Sequence, residues 1–289
     1  MLDKHAYLII AHNNFEVLEI LIKMLDYKHN DLYVHIDKKV KNFDMDFFRA
    51  LCTQSNIYFL SKRIDVKWGG QSQILTEMLL YKYAYKNRTY SWYHLLSGVD
   101  LPLAKAEKIY RFFSDKNRSY IYIKSNTSEW DKQRISRYRF DIKNDIISNI
   151  IYNMQEKMNI DRVKNIKVKK GYNWASLTSK SVEVLLEKER VIKRMTFASL
   201  CADEIYKQTI LCKYAADTIY YDKYGNTTDL RYVDWSEGEA HPKILDESDY
   251  EKIMTSGKLF ARKFDEEKSR IIIEKLYSGV YSNSQRFRF

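Results

Sequence analysis

The sequence predicts an α/β protein built on a doubly wound, mostly parallel sheet. Two observations carry the prediction. Short, dense apolar runs alternate with segments of helical apolar spacing over residues 5–123. Polar residues of chemical interest also fall directly after those runs, where sheets of this kind bind ligands. Residues 5–12, HAYLIIAH, read as a buried strand. Asn13 and Asn14 offer a cap for the helix FEVLEILIKML at 15–25. Strands follow at 32–36, ending at Asp37, and at 57–60. Residues 71–85 read as helix, 92–96 as strand, 105–113 as helix and 120–123 as strand. The remainder is more helical, with helices expected at 141–158, 179–193, 202–211, 248–254 and 265–277 and a strand at 230–233. No repeat, low-complexity stretch or Pro/Gly-rich linker divides the chain, so a single domain over 1–289 is expected.

Composition narrows the class. The 289 residues are 45% apolar and 30% charged, which is globular rather than disordered. A chain of this length buries roughly three quarters of its unfolded surface and needs no disulfide or metal staple. Cys52, Cys201 and Cys212 are odd in number and show no CxxC spacing, which fits a reducing compartment. No run approaches the ~18 apolar residues of a membrane span, and AYLII at 6–10 is too short for the core of a signal peptide. The net charge of +11 suits an anionic membrane surface or an anionic small molecule. Nucleic acid is disfavoured, because none of its recognition motifs is present. Basic clusters occur at 132–139, 162–170 and 188–194 and in the tail RFRF, 286–289; a solvated basic face is their simplest reading.

The common nucleotide, P-loop, zincin and hydrolase motifs are absent. What remains is a set of short segments. Asp37 ends a strand, where a carboxylate accepts hydrogen bonds from a ribose or base or else caps a turn. Trp68-Gly69-Gly70 lets backbone approach a ligand beside an aromatic wall. LLSGVDLPL (95–103) brings out Asp100 after a strand and a glycine, and GYNWASL (171–177) groups glycine, amide and tryptophan. FASLCADE (197–204) leads into a helix with acids in its first turn, which plain dipole complementation also explains. LFARKFD (259–265) sets Arg262 and Lys263 side by side in an apolar frame, a costly placement that suits anion binding. Asp44-Met45-Asp46 spells Asp-x-Asp but sits where acids cap a short helix. His12, His35 and His94 lack metal-ligand spacing and read as core or supporting residues.

These segments, taken in order with YVHIDKK (33–39), RYVDW (231–235) and HPKIL (241–245), resemble the core-2/I-branching β-1,6-N-acetylglucosaminyltransferases and the related peptide O-xylosyltransferases. The resemblance spans residues 5–265 and implies a GT-A type glycosyltransferase fold, with 1–125 as nucleotide-binding half and 126–289 as acceptor and catalytic half. It implies inverting transfer from a UDP-sugar to a hydroxyl of a glycan or lipid-linked acceptor, with N-acetylglucosamine the favoured sugar and xylose or another hexose the alternative. By motif position, Glu204 is the expected catalytic base. Ile9, Asp37, Trp68, Arg262 and Lys263 are expected on the nucleotide side, the last two at the diphosphate. Asp100, Asn173, Trp174 and Trp235 are expected donor or acceptor contacts, and Arg231 and Lys243 weaker phosphate contacts. No cofactor and no divalent metal is expected, because the resemblance is to the members of this fold that neutralise the leaving group with side-chain cations. Eukaryotic relatives carry an amino-terminal anchor and disulfides. Lacking both, the chain is expected to be bacterial and cytoplasmic, working peripherally at the inner membrane face on a surface-polysaccharide precursor, held there by its basic surface and tail. The competing expectation is a non-catalytic glycan- or membrane-binding protein on the same fold.

Overall fold

A computed structural model describes residues 3–140, 145–237 and 241–281. In chain order its strands are β1 (His5–Ala11), β2 (Asn30–Ile36), β3 (Asn56–Phe59), β4 (Trp92–Ser97), β5 (Asp100–Pro102), β6 (Tyr120–Ile123), β7 (Gly171–Thr178), β8 (Arg231–Val233) and β9 (Phe260–Arg262). The helices are α1 (Phe15–Leu25), α2 (Met45–Ala50), α3 (Gln71–Asn87), α4 (Ala106–Phe113), α5 (Glu129–Ser136), α6 (Asp145–Lys157), α7 (Ser179–Glu187), α8 (Glu189–Thr196), α9 (Tyr206–Tyr214), α10 (Tyr250–Thr255) and α11 (Arg270–Tyr281). The chain divides into two compact units, each assembled from separate stretches. One takes Met1–Arg63, Tyr90–Asn117 and Leu230–Phe289; the other takes Ile64–Thr89 and Arg118–Asp229.

The first unit holds the parallel sheet that the alternation predicts. Its strands run β3-β2-β1-β4, all parallel. An order that starts in the middle and grows both ways is that of doubly wound nucleotide-binding sheets. Every residue of β1, β2 and β4 is buried, which is why they read as continuous apolar runs rather than alternating ones. His5, His35 and His94 lie in those strands with no exposed surface. Burial pushes His5 down to about 3 and His35 to about 4, so both are neutral core residues. A small second sheet carries the motif strands: β9 pairs antiparallel with β5 and parallel with β8.

The second unit pairs β6 antiparallel with β7 and surrounds them with α3 and α5–α9. The parallel alternation therefore does not extend to β6. Its partner β7 is the segment GYNWASLT, whose mixed composition gave no strand signal. The pairing explains Gly171. A Cβ there would sit 1.8 Å from the Tyr122 carbonyl oxygen, so only glycine lets the two backbones approach at this irregular register.

Several boundaries move for identifiable reasons. Asn14 precedes α1 in a left-handed conformation and makes no side-chain cap; its amide oxygen instead accepts from the Glu266 N–H at 3.3 Å. Residues 179–193 form two helices, because Lys188 leaves helical geometry. The expected helix at 202–211 starts only at Tyr206, after a separate 3-10 turn over Ala202–Glu204. Asp265 accepts from the N–H groups of Glu267 and Lys268, which delays α11 to Arg270. Asp44 does cap α2, accepting from the Asp46 and Phe47 N–H groups. Residues 141–144 of the expected 141–158 helix and the 286–289 tail lie outside the described residues. Among the described residues no helix is long and apolar enough to cross a membrane, and all three cysteines are free.

Gly171→Ala should lower the unfolding free energy by about 3 kcal/mol, the upper range for a forced overpacking. Urea unfolding measures it, and a loss under about 0.5 kcal/mol would refute the close-approach account.

Candidate active site

In the first unit Asp37 and Lys263 follow strands directly and Arg262 ends one. Asp37 follows β2 directly, is buried, and its N–H donates to the Ala11 carbonyl at the end of β1. Its carboxylate accepts from the Lys39 N–H at 2.8 Å and pairs with the Lys39 ammonium at 3.3 Å. Arg63, which the sequence reading missed, braces this corner by donating to the carbonyls of Ile36, Asp37 and Val40. Ile9 is not at the end of β1. It lies two residues earlier, fully buried and in register with Val34 of β2 and Leu96 of β4, so its side chain is core.

The small sheet sorts the remaining first-unit candidates. Asp100 is fully buried on β5, in register with Arg262 of β9. One carboxylate oxygen accepts from the Ser97 N–H at 2.9 Å, and the other lies 3.8 Å from the Arg262 guanidinium. Asp100 is therefore a buried counter-charge beside Arg262. Val233 registers with Arg262 in the parallel β8–β9 pair. The chain after β8, carrying half-exposed Trp235, and the chain after β9, carrying Lys263, thus leave the sheet in the same direction. Arg231, a weaker phosphate candidate in the sequence, lies within the small sheet. It is buried, donates to the Leu95 carbonyl at 3.2 Å and stacks 4.9 Å over the Phe260 ring. Lys243 pairs with Asp249 at 2.8 Å, in the capping box of Asp246, which raises its pKa.

The second unit brings three motif segments together. Trp68 is 69% exposed on the loop before α3. The next residue, Gly69, has φ +67°, and its carbonyl accepts from the Cys201 N–H at 2.7 Å. The tryptophan loop is thus tied to the turn that carries Asp203 and Glu204. That turn is strained, with Ala198 at φ 45° and Cys201 at φ 44°. Left-handed backbone costs a non-glycine residue roughly 1–2 kcal/mol, and it persists where surroundings fix it.

Arg134 of α5 is what fixes it. Its guanidinium donates to the Leu200 and Cys201 carbonyls and, at 2.8 Å, to the Glu204 carboxylate. Lys170 adds a second cation, 3.6 Å from Glu204 and 3.2 Å from Asp131. Asp131 itself closes a capping box with Ser128 at the start of α5. Glu204 remains 28% exposed, so a substrate hydroxyl can reach it. Its neighbour Asp203 is buried, accepts from the Gln73 side chain at 3.2 Å, and is pushed up to about 7. Burial is the main cause, and the negative charges of Glu77 and Glu204 add to it against the pull of Lys207.

Beneath this turn lies a cluster the sequence reading did not single out. Glu77 of α3 and Lys207 of α9 form an ion pair with no solvent exposure. Tyr206 donates to Glu77 at 2.6 Å, and the Asn173 amide donates to the other Glu77 oxygen at 2.7 Å. Lys207 also donates to the Asn173 oxygen. Both ends of the Asn173 amide are engaged and the residue is buried. Half-buried Trp174, the next residue on β7, stays accessible. One charged residue inside each apolar helical run, QILTEMLL (73–80) and IYKQTIL (205–211), was the available signal for the pair. Among the described residues no group of three or more His, Cys, Asp or Glu is placed to hold a metal ion.

The profile of the Core-2/I-Branching enzyme family matches residues 5–257. The chain belongs to that family. Xylosyltransferase 2 of Bos taurus is 22% identical over 299 residues, covering 96% of this chain and 34% of the bovine protein. A Ciona intestinalis xylosyltransferase is 24% identical over 129 residues, covering 44% of this chain and 15% of that protein. The chain therefore spans about a third of the length of the bovine relative. A solved structure of mouse xyloside xylosyltransferase 1 aligns with a TM-score of 0.37 at 10% identity, covering 76% of this chain and 85% of the mouse chain. The family and both curated relatives are glycosyltransferases.

Lys207→Met should cost about 3–5 kcal/mol by leaving Glu77 buried without its counter-charge, and Glu77→Gln in the same chain should recover much of that. Chemical denaturation of the three variants measures both, and a double variant no better than the single would refute the pairing. Asp203 gives a pH signature. Its folded pKa lies above the unfolded carboxylate value of 3.8, so the folded state binds the extra proton between the two. Stability owed to it is present at low pH and is lost as pH rises towards 7. Asp203→Asn should gain on wild type in unfolding free energy between pH 4 and pH 8, about the window of that shift; parallel pH profiles would exclude the raised pKa.

Proposed function

We propose that the chain is an inverting, metal-independent glycosyltransferase of GT-A type. It transfers a sugar from a UDP-sugar to a hydroxyl of a glycan or lipid-linked acceptor, forming a β-linkage in surface-polysaccharide synthesis. The observation that carries the reading is Glu204. Of the two acids in the matching motif, Asp203 is buried and Glu204 is the one a hydroxyl can reach, on a turn fixed by Arg134.

The roles follow from charge and exposure. Glu204 takes the proton of the acceptor hydroxyl as its oxygen attacks C1 of the donor sugar. The C1–oxygen bond to UDP breaks on the opposite face, which inverts the anomeric centre, and the electron pair leaves with the diphosphate. Arg262 and Lys263 meet that developing charge, Arg262 through a fork held in place by Asp100 and Lys263 as a point charge. Fixed cations aimed at a leaving group are a large catalytic contribution. The adjacent cations in the 259–265 motif support the metal-independent part of the reading. Asp37, at the strand end, takes the uridine side, and Trp68, Trp174 and Trp235 supply aromatic faces for nucleotide or sugar. Arg134 and Lys170 position the base rather than touch the reacting atoms.

The family favours N-acetylglucosamine as the transferred sugar. The two xylosyltransferase relatives favour xylose as the second reading. The enzyme works in the cytoplasm, peripherally at an anionic membrane surface.

Calorimetric titration of UDP with EDTA present should show binding, weakened at least about tenfold by Arg262→Ala together with Lys263→Ala. Glu204→Gln should keep UDP affinity and lose transfer by about a hundredfold or more, the scale of a general base. UDP binding that appears only when manganese replaces EDTA would overturn the metal-independent mechanism, and unchanged turnover in Glu204→Gln would remove the base.

A further inference from the structure

Helix α6 presents an apolar face with no place in the chemistry above. Ile147, Ile150 and Met154 project within about 60° of one another at 100° per residue, and Met158 continues the row just past the helix end. These four are 47–68% exposed. The opposite side of the helix is docked. Tyr152 donates to the Gln133 side chain at 3.2 Å, and the Gln155 amide exchanges hydrogen bonds with the Tyr138 backbone at 2.7 and 2.9 Å. The helix is therefore anchored through Tyr152 and Gln155, with its apolar row turned outwards.

The segment on which α6 docks is aromatic and cationic. Arg139 lies 4.3 Å over the Tyr152 ring and 5.2 Å from the Trp130 ring, and Arg137 lies 4.9 Å over Tyr152. Trp130 and Phe140 are themselves about half exposed. The chain after α6 returns to the same segment: the Arg162 guanidinium donates to the Ile135 carbonyl and stacks 4.1 Å over Tyr138. Exposed Lys157, Lys164 and Lys167 lie on this stretch. Residues 130–170 carry eleven Lys and Arg against five Asp and Glu. An amphipathic helix with an exposed apolar row, aromatic neighbours and excess cations is the pattern of a helix lying in a membrane interface. Cations near an anionic bilayer add electrostatic attraction to the apolar contact.

We infer that the outward face of α6, carried by the cation-rich stretch 130–170, is a docking surface for an anionic phospholipid bilayer. This deepens the membrane part of the function proposed above, rests on that reading for its purpose, and is independent of the donor sugar. It also moves the contact from the 286–289 tail to a defined helix. Arg134, which positions Glu204, belongs to α5 immediately before the docked 137–139 segment. The membrane contact and the catalytic turn are thus linked through one short stretch of chain.

The test is co-sedimentation of the whole chain with vesicles of phosphatidylcholine alone or with about a third phosphatidylglycerol. Wild type should bind the mixed vesicles and leave the neutral ones. Ile147→Ser, Ile150→Ser and Met154→Ser combined should lower binding about tenfold or more, and so should Lys157→Glu, Lys164→Glu and Lys167→Glu combined. All six positions are exposed and both variants should melt as wild type does. UDP affinity of both should equal that of wild type, which separates a failed surface from a failed nucleotide site. Absence of vesicle binding by wild type, equal binding to neutral vesicles, or unchanged binding by the two variants would each overturn the inference. A wild-type dimer that the serine variant dissolves would also overturn it, in favour of a second copy of the chain on this face.

Discussion

A single buried ion pair organises the second unit. Glu77 and Lys207 have no solvent exposure, so each charge must be matched inside the protein or raise the energy of the fold by several kcal/mol. Tyr206 and Asn173 complete the match. The consequence is positional. Glu77 lies on α3, which begins after the Trp68 loop; Asn173 lies on β7 beside Trp174; Lys207 lies in the first turn of α9, three residues after Glu204. Three elements, each with a motif residue at or near its end, are fastened at one point. Apolar packing alone would tolerate sliding between them, whereas a hydrogen-bonded charge pair admits little.

The turn above this pair shows how strain is distributed. Ala198 and Cys201 adopt left-handed backbone that neither residue prefers. The Arg134 guanidinium satisfies two carbonyls of the turn and the Glu204 carboxylate with one planar fork, and the Gly69 carbonyl receives the Cys201 N–H. Two adjacent acids end in opposite environments. Asp203 is buried beside the cluster with its pKa pushed up to about 7, while Glu204 is partly exposed between two cations. A regular helix over 202–211 would place both in one first turn and on neighbouring faces. The 3-10 turn is what separates them.

The strands of the parallel sheet were legible because burial leaves an unbroken apolar run, and their parallel pairing follows from the helices between them. β8 was legible as well, within one residue of the expected 230–233. β5, β7 and β9 fared worse: two of them have three residues each, and β7 mixes glycine, asparagine and tryptophan, so neither run nor alternation marks them. The motif residues were visible by type, but type does not report burial. The partners of Asp100, Asn173, Arg231 and Lys243 inside the fold, as counter-charges, braces and caps, left no mark in the sequence. Arg63, Arg134 and Lys170 were hidden for the same reason. A cation in a basic stretch carries no mark that it reaches backbone carbonyls or a carboxylate far away in sequence.

Charge matching also explains where the excess of +11 ends up. Inside the fold a cation survives only with a partner: Lys207 has Glu77, Arg231 a carbonyl and a ring, Lys243 has Asp249, and Arg262 has Asp100. None of these adds to the field that a distant anion feels, because each is neutralised or shielded within a few ångströms. The surplus is therefore carried by exposed residues, and residues 130–170 concentrate it. The same stretch leaves an apolar row of α6 uncovered. Like charges around an apolar row repel a second basic surface as strongly as they attract an anionic one. The physical demand of this face is thus a negatively charged, apolar-cored partner, which is the description of a bilayer with acidic headgroups.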